Sequence, residues 1–311
     1  MPLSDLVPDA AELLDDWPTE PRTYQHGARA FEDLLTMAEI DALIDHDCLP
    51  NRNVRLIRDG ETVDDREYSA TPDMPDPGAV RRYLDDGCSL SIRRLQTIKP
   101  SLSVLRREVA RETGYETHFN AYLTPPRQHG LRYHFDPYVT LVIQIHGSKT
   151  WPLHQPFVDN PVEEYENFRR RGFTPSERAY LATTAPAQEI TLNAGDVLWL
   201  PRGWVHSPHN RDGDEPSLHL TFALKQRTLH WAAEEIAGVL TRHLLGDTEA
   251  RDGIPPTRLL DSPEAVVKDV REILVGALLT MDTEEMAATL RRAALTEEPL
   301  PAPRLRYGLR P

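Results

Sequence analysis

The sequence predicts a mainly β domain with α-helices, built as a small antiparallel barrel and followed by a helical region. Three stretches predict it. VTLVIQIHGSKTW (139–151) passes from alternating to near-continuous apolar residues and ends in a Gly turn, the pattern of a buried strand entering a hairpin. EITLNAGDVLWLPRGWVHSPH (189–209) reads as a strand, an Asn-Ala-Gly-Asp turn, a second apolar strand, a Pro-Arg-Gly turn and then a histidine. SLHLTFALK (217–225) adds one more strand, after which the apolar spacing becomes helical.

Taken in order, residues 1–50 read as a helical lead-in, 51–226 as the barrel domain, 227–298 as helices and 299–311 as an irregular tail. The start, MPLSDLVPDAAELLDDW, has neither the basic residues nor the apolar run of a signal peptide. VEEYENFRRRGFTPSERAY (162–180) is polar and charged and reads as an insertion between barrel strands. In TLHWAAEEIAGVLTRHLLGD, Leu229, Ala233, Ile236, Val239, Leu240 and Leu244 recur at helical spacing before Gly246. A second helix is expected from Ser262 as N-cap with Pro263 in the first turn, and TEEMAATLRRAAL continues the helical character. Helices with one apolar stripe need a partner surface, either a second copy of the chain or its own barrel.

A chain of 311 residues, 40% of them hydrophobic, is long enough for one large domain and a smaller one. Its two cysteines, Cys48 and Cys88, form no CxxC and no disulfide framework, which fits a reducing cytoplasm. No run reaches the length of a membrane-spanning helix, so no membrane partner is expected. A net charge of −14 argues against direct nucleic-acid binding through a broad basic surface. Most of that acid is expected to be solvated surface; as a functional feature, an acidic rim would draw in a basic polypeptide.

The chemistry is carried by His134-Phe135-Asp136 in LRYHFDPY and by His206, 72 residues later, in LPRGWVHSPH. Residues two apart on a strand project from one face, so His134 and Asp136 can hold one metal ion while a distant histidine completes the set. Two imidazoles and one carboxylate on one side of a metal leave positions open for a co-substrate and dioxygen, as in non-haem Fe(II) oxygenases. His209, three residues past His206, competes for the third ligand position. His146, His154 and His219 are expected to be core or rim side chains, and the other histidines belong to no constellation.

The stretch from about Asn51 to about Arg227 resembles the JmjC-domain protein hydroxylases and, within them, the ribosomal oxygenase group. The residues that carry the resemblance are NAYLTPP (120–126), HFD, HGSKTW (146–151), GDVLWLPRGWVH (195–206) and SLHLT (217–221). RLIRDGETVDDREYS and DDGCSLSIRRL look like the lead-in strands of that family. The resemblance implies an antiparallel double-stranded β-helix of the jelly-roll, or cupin, type, with Fe(II) and 2-oxoglutarate as metal and co-substrate. Position by position, His134, Asp136 and His206 match the metal ligands. Lys149, fifteen residues after His134, matches the basic residue that pairs with the far carboxylate of 2-oxoglutarate. Asn120 matches an asparagine that hydrogen-bonds the co-substrate, and Thr124 and Tyr122 would line the same wall. Ala223 stands where some relatives have a serine near the co-substrate.

What the resemblance implies about activity is hydroxylation of a protein or peptide side chain, an arginine or histidine in a ribosomal protein by family analogy, with release of succinate and CO2. Tailoring of a small peptide natural product is a second enzymatic reading, and a non-catalytic metal-binding cupin is a reading of another class. The corresponding helices of the ribosomal oxygenase group form a homodimer, so a homodimer is expected. Relatives often continue into a winged-helix-like module, and this chain is expected to be too short to hold all of it.

Overall fold

Val139–His146 and Ser217–Lys225 lie side by side in the middle of an eight-stranded antiparallel sheet, covered on both faces. That double burial is why the first of them is almost uninterruptedly apolar. The sheet runs in the order Arg22–Gln25, Asp196–Leu200, Val139–His146, Ser217–Lys225, Glu116–Thr124, Ser89–Ile92, Val54–Arg58 and Glu61–Thr62. A smaller sheet has Ser148–His154 at its centre, flanked by Gln188–Asn193 and Val205–His206. The two sheets are the walls of a double-stranded β-helix, a mainly antiparallel fold with helices. The computed structural model describes residues 2–46 and 48–296; the tail expected at 299–311 lies outside them.

Period-two alternation sorts the large sheet's residues into two environments. Phe119, Ala121, Leu123, Val139, Leu141, Ile143, Leu218, Leu220, Phe222 and Leu224 join one hydrophobic cluster with residues of the N-terminal segments and the helix Pro100–Thr113. The alternate residues face the barrel interior. There Val142, Leu198 and Leu200 meet Trp151, Leu153, Leu192 and Trp204 in a second, smaller cluster. The remaining interior positions are mostly polar. Register places Ser89 in the row of Thr124 and Ser217, and Ser91 in the row of Tyr122, His219 and Gln144.

The hairpin between Val139–His146 and Ser148–His154 carries the chain from one sheet to the other. Gly147 makes that turn at φ 62°, and a Cβ there would lie 2.4 Å from the Pro216 carbonyl oxygen, so only glycine fits.

One expectation is corrected. The lead-in is not wholly helical. Besides the helices Ala10–Asp15 and Met37–Asp45 it supplies the strand Arg22–Gln25, which pairs with Asp196–Leu200 and covers that strand's edge. Ser262 is the N-cap of the helix Pro263–Thr280 with Pro263 in its first turn, as the sequence predicts, although its side chain makes no capping hydrogen bond. It also ends the short helix Pro256–Asp261, and at φ −145°, ψ 52° it joins two helices directly.

The described residues from Arg227 onward form a compact unit separate from the described residues before it. Within it Leu229–His243 packs against both Pro263–Thr280 and Thr283–Leu295, the last capped by Asp282 through the Glu284 N–H at 2.8 Å. Leu240 is the one buried hydrophobic among the described residues of this unit.

Phe222 is fully buried in the first cluster and stacks on Phe119, the ring centroids 4.0 Å apart. Phe222→Ala is expected to destabilise the barrel unit by about 3–5 kcal/mol, measured by urea denaturation followed through tryptophan fluorescence. The equivalent change at exposed Tyr165 should stay within about 0.5 kcal/mol.

Candidate metal centre

His206 is the last residue of the strand Val205–His206, opposite Leu153 on the small sheet. His134 then pairs with His206 through two main-chain hydrogen bonds: the His134 N–H donates to the His206 carbonyl at 3.1 Å, and the His206 N–H donates back at 2.8 Å. Directly paired residues project from the same face, so both imidazoles point into the barrel, with ring centroids 4.2 Å apart. Asp136, two residues on, returns to that face, and its Oδ2 lies 4.0 Å from His206 Nε2. One ligand atom from each of the three lies within 4.8 Å of the others. Phe135 points the other way and is buried against Phe168 and Phe173 of the insertion, at centroid distances of 5.4 and 6.2 Å.

Neighbouring groups fix which atoms face inward. His134 Nδ1 is 2.8 Å from the Arg132 carbonyl oxygen, and His206 Nδ1 is 2.9 Å from that of Trp204. Each Nδ1 therefore carries the proton and donates it, leaving both Nε2 lone pairs free for a metal. Burial, with His134 beside it, holds the His206 pKa well below the usual histidine range, so the imidazole is neutral, the form that ligates. The Thr140 hydroxyl, from the facing sheet, donates to Asp136 Oδ2 at 3.5 Å.

Lys149 lies on the small sheet's interior face, 1% exposed. Its Nζ donates to Thr124 Oγ1 at 2.6 Å. The Ser89 and Thr124 hydroxyls are 3.1 Å apart, and Ser89 donates to the His129 carbonyl at 2.7 Å. No carboxylate pairs with Lys149 among the described residues, and burial pulls its pKa down to about 7. Four residues separate Lys149 from Leu153, the level of His206, or roughly 13 Å at about 3.3 Å per residue. The lysine stem covers part of that span. The remainder suits a short dicarboxylate with one end at the triad and the other at the ammonium.

The other expected residues share this interior. Asn120 Oδ1 accepts from the Arg94 N–H at 3.0 Å, so its carbonyl end is already engaged. Tyr122 stacks on His219, rings 8° from parallel, and burial with Asp136 nearby raises its pKa. Ala223 is buried opposite His118 and Thr140. His209 is not gathered with the triad: its main chain bridges Thr150 and His129, and its Nδ1 accepts from the Arg211 N–H at 3.4 Å. Sequence reasoning missed Ser89, Thr140 and the full placement of His219. The signal available was polar alternation, SLS and LHL, within strands that are otherwise fully buried.

A metal and a small dicarboxylate fit these residues. The donor set is two neutral imidazoles and a carboxylate. Beside the lysine lie buried polar atoms with no partner in the chain: Trp151 Nε1, His219 Nδ1 and Gln144 Oε1. Such groups are costly in an apolar interior and are met when a polar molecule binds.

The family model described as JmjC domain matches residues 95–231, a span that holds the triad, Lys149 and the central strands. Over that segment the chain is similar to a JmjC domain. It is 29% identical over 262 residues to ribosomal oxygenase 1 of Danio rerio, an alignment covering 80% of this chain and 45% of the relative. It is 26% identical over 253 residues to the bifunctional lysine-specific demethylase and histidyl-hydroxylase NO66 of Aedes aegypti, covering 78% of this chain and 37% of that one. The chain thus spans less than half the length of these relatives. Among solved structures, the chain shares the fold of YcfD, a ribosomal oxygenase from Escherichia coli, with TM-score 0.57 at 19% identity over 91% of this chain and 69% of that one. A YcfD structure in complex with cobalt and 2-oxoglutarate gives TM-score 0.57 at 16% identity over 94% of this chain and 72% of that one.

The buried ammonium has a consequence for stability. The folded-state pKa of Lys149 is about 7 and the unfolded-state value about 10.4. Between these pH values the unfolded chain binds the extra proton, so stability from this group is present above the upper value and lost as pH falls toward 7. Lys149→Met is therefore expected to raise the melting temperature of the ligand-free protein at pH 6.5–7. The gain should shrink as pH rises toward 10, read by differential scanning fluorimetry across that range.

Proposed function

We propose that this chain is an Fe(II)- and 2-oxoglutarate-dependent hydroxylase of a protein or peptide side chain. The observation that carries the reading is the placement of His134, Asp136 and His206 and a buried Lys149 without a counter-charge in one lumen. His134, Asp136 and His206 would hold the iron, and Lys149 with Thr124 would take the far carboxylate of 2-oxoglutarate. When bound, iron and 2-oxoglutarate supply the oxidative chemistry, consuming dioxygen and releasing succinate and CO2 as a C–H bond is hydroxylated.

The chain's own residues do the positioning. The Arg132 and Trp204 carbonyls lock the imidazole tautomers, and the Phe135, Phe168 and Phe173 rings exclude water behind the triad. An anion at Lys149 raises the lysine pKa and keeps the ammonium protonated. By likeness to ribosomal oxygenases and to a histidyl-hydroxylase, the substrate is a ribosomal protein oxidised at an arginine or histidine.

In the helical unit Leu229, Leu260 and Leu279 are 91%, 78% and 81% exposed, an apolar surface that a second copy would cover. We read it as a homodimer contact. Leu279→Glu should shift the dimer toward monomer in light scattering, while wild-type protein that is monomeric at micromolar concentration would refute the contact. No helix among the described residues is long and apolar enough to cross a membrane, and both cysteines are free, which supports a cytoplasmic location.

Reconstitution of metal-free protein with Fe(II) and 2-oxoglutarate under nitrogen should give the weak visible charge-transfer band of a chelated complex. His206→Ala should abolish it and His209→Ala should retain it. Lys149→Met should weaken 2-oxoglutarate binding by at least about tenfold while keeping the metal, as loss of a charge-assisted hydrogen bond predicts. No band from folded, iron-loaded wild type would overturn the reading.

A further inference from the structure

Beyond Ser91 the ladder of the large sheet continues to Arg93. Its N–H donates to the Asn53 carbonyl at 2.7 Å, Asn53 Nδ2 donates back to the Arg93 carbonyl at 2.6 Å, and the next N–H, that of Arg94, goes to Asn120 Oδ1. Arg94 then turns the chain away at φ 54°. Two residues from Ser91 on a continued ladder, Arg93 shares the interior-facing side with it, beside Asn120. Arg55 is paired with Ser91 and so stands diagonally to Arg93, about 7–8 Å away between Cα atoms, within reach for long side chains. Both arginines are half-buried. Arg169 arrives from the insertion, next to Phe168, whose ring lies 6.2 Å from that of His134. Arg93 lies within electrostatic reach of Arg55, Arg169 and the Tyr122 and Tyr138 hydroxyls, and Tyr138 in turn within reach of Asp136. Two half-buried guanidinium groups, with the exposed Arg169 near them, thus lie beside the Tyr122 and Tyr138 side chains that neighbour Asp136.

Their counter-charge is missing. The chain has 49 acidic residues against 35 basic ones, so acids are not scarce. Arg81 pairs with Asp41 and Asp45, Arg132 with Glu61, and Arg171 with Glu166 and Glu177. Among the described residues, no carboxylate pairs with Arg55, Arg93 or Arg169. Glu163, which also acts on Tyr138, is held by Lys225 at 3.0 Å. Gathering like charges around half-buried Arg55 and Arg93, with the exposed Arg169 beside them, is unfavourable without a partner, and burial together with Arg55 and Arg169 lowers the Arg93 pKa.

We propose that Arg93, with Arg55 and Arg169, forms a subsite for a carboxylate of the substrate polypeptide, next to the residue presented to the metal triad. This rests on the peptide-hydroxylase reading above. The guanidinium fork matches a carboxylate in two parallel hydrogen bonds. The subsite is distinct from the co-substrate's: Thr124, at Lys149, and Asn120, at Arg93, are four residues apart on one strand, roughly 13 Å. The carboxylate comes from an acidic side chain near the oxidised residue or from the substrate's C-terminus.

The test uses the full chain loaded with Mn(II) and 2-oxoglutarate without oxygen, and a random peptide pool with a central histidine or arginine, each peptide made as C-terminal acid and amide. Wild type is expected to retain peptides with Glu or Asp near the centre over their Gln or Asn counterparts, or acids over amides, by about tenfold. Whichever preference appears identifies the source. In Arg93→Met it should fall below about twofold, with Arg93→Lys intermediate and 2-oxoglutarate affinity unchanged. The clamps to Asn53 and Asn120 use main-chain atoms at 93 and 94, so these variants keep them. A retained pool without acidic preference, a preference that survives Arg93→Met, or no retention at all overturns the subsite. Wild type that fails to bind 2-oxoglutarate with Mn(II) marks failure of the underlying reading instead. A tenfold loss of 2-oxoglutarate affinity in Arg93→Met would assign Arg93 to the co-substrate and also overturn the proposal.

Discussion

The two main-chain hydrogen bonds between His134 and His206 are the constraint on which the rest of the site depends. They turn the HFD segment, which no regular strand includes, into an added edge of the small sheet. Direct pairing then forces both imidazoles onto one side, and the period of two brings Asp136 to the same side. Phe135, between the two ligands, must face away, and its burial against Phe168 and Phe173 anchors the segment from behind. Hydrophobic packing on one side of three residues thereby sets metal-binding geometry on the other. Because the carbonyls of Arg132 and Trp204 also fix each ring, little conformational entropy is left to lose when a metal binds.

An interior lined by Ser89, Ser91, Thr124, Gln144, Lys149 and His219 is a poor source of stability. The fold tolerates it because the large sheet's other face carries the main hydrophobic cluster, in which Phe119, Phe222 and the alternate leucines are packed against helices. A single strand such as Ser217–Lys225 therefore stabilises with Leu218, Leu220, Phe222 and Leu224 and presents His219, Thr221 and Ala223 to the lumen. Lys149 is the extreme of this arrangement. Its ammonium loses its hydration and gains one hydroxyl, so the site favours an anion before any metal chemistry is considered.

The central strands were legible because double burial writes continuous apolar runs, and Gly147 and Gly195 punctuate them. The candidate ligand pair was legible because a strand's period of two makes His-x-Asp meaningful once the neighbouring stretches read as strands. Arg22–Gln25 was not, since a short polar edge strand exists only because Asp196–Leu200 offers it an unpaired side. The N-cap at Ser262 was legible from residue type and the following proline, but not that the same residue also ends the preceding helix at Asp261, because a short helix there leaves no sequence signal of its own. Lys149 was found by resemblance; its lack of a counter-acid depends on what surrounds it in space. Arg55, Arg93 and Arg169 were invisible as a group, because they meet through a diagonal pairing across 38 residues and an insertion that reads as variable surface.

These cations also change how the net charge of −14 is to be understood. Charges on the exposed surface act through water and salt and fade over about 8–10 Å, so they influence how a polypeptide approaches more than how it is held. Half-buried arginines and a buried lysine are screened far less. An acidic exterior around a cationic lumen therefore separates two selections. The exterior favours a basic partner during encounter, and the lumen favours an anionic group once a segment enters. Under the proposed function, a substrate that satisfied both would carry an acidic residue, or a chain end, within a predominantly basic polypeptide, a narrower requirement than either field alone would impose.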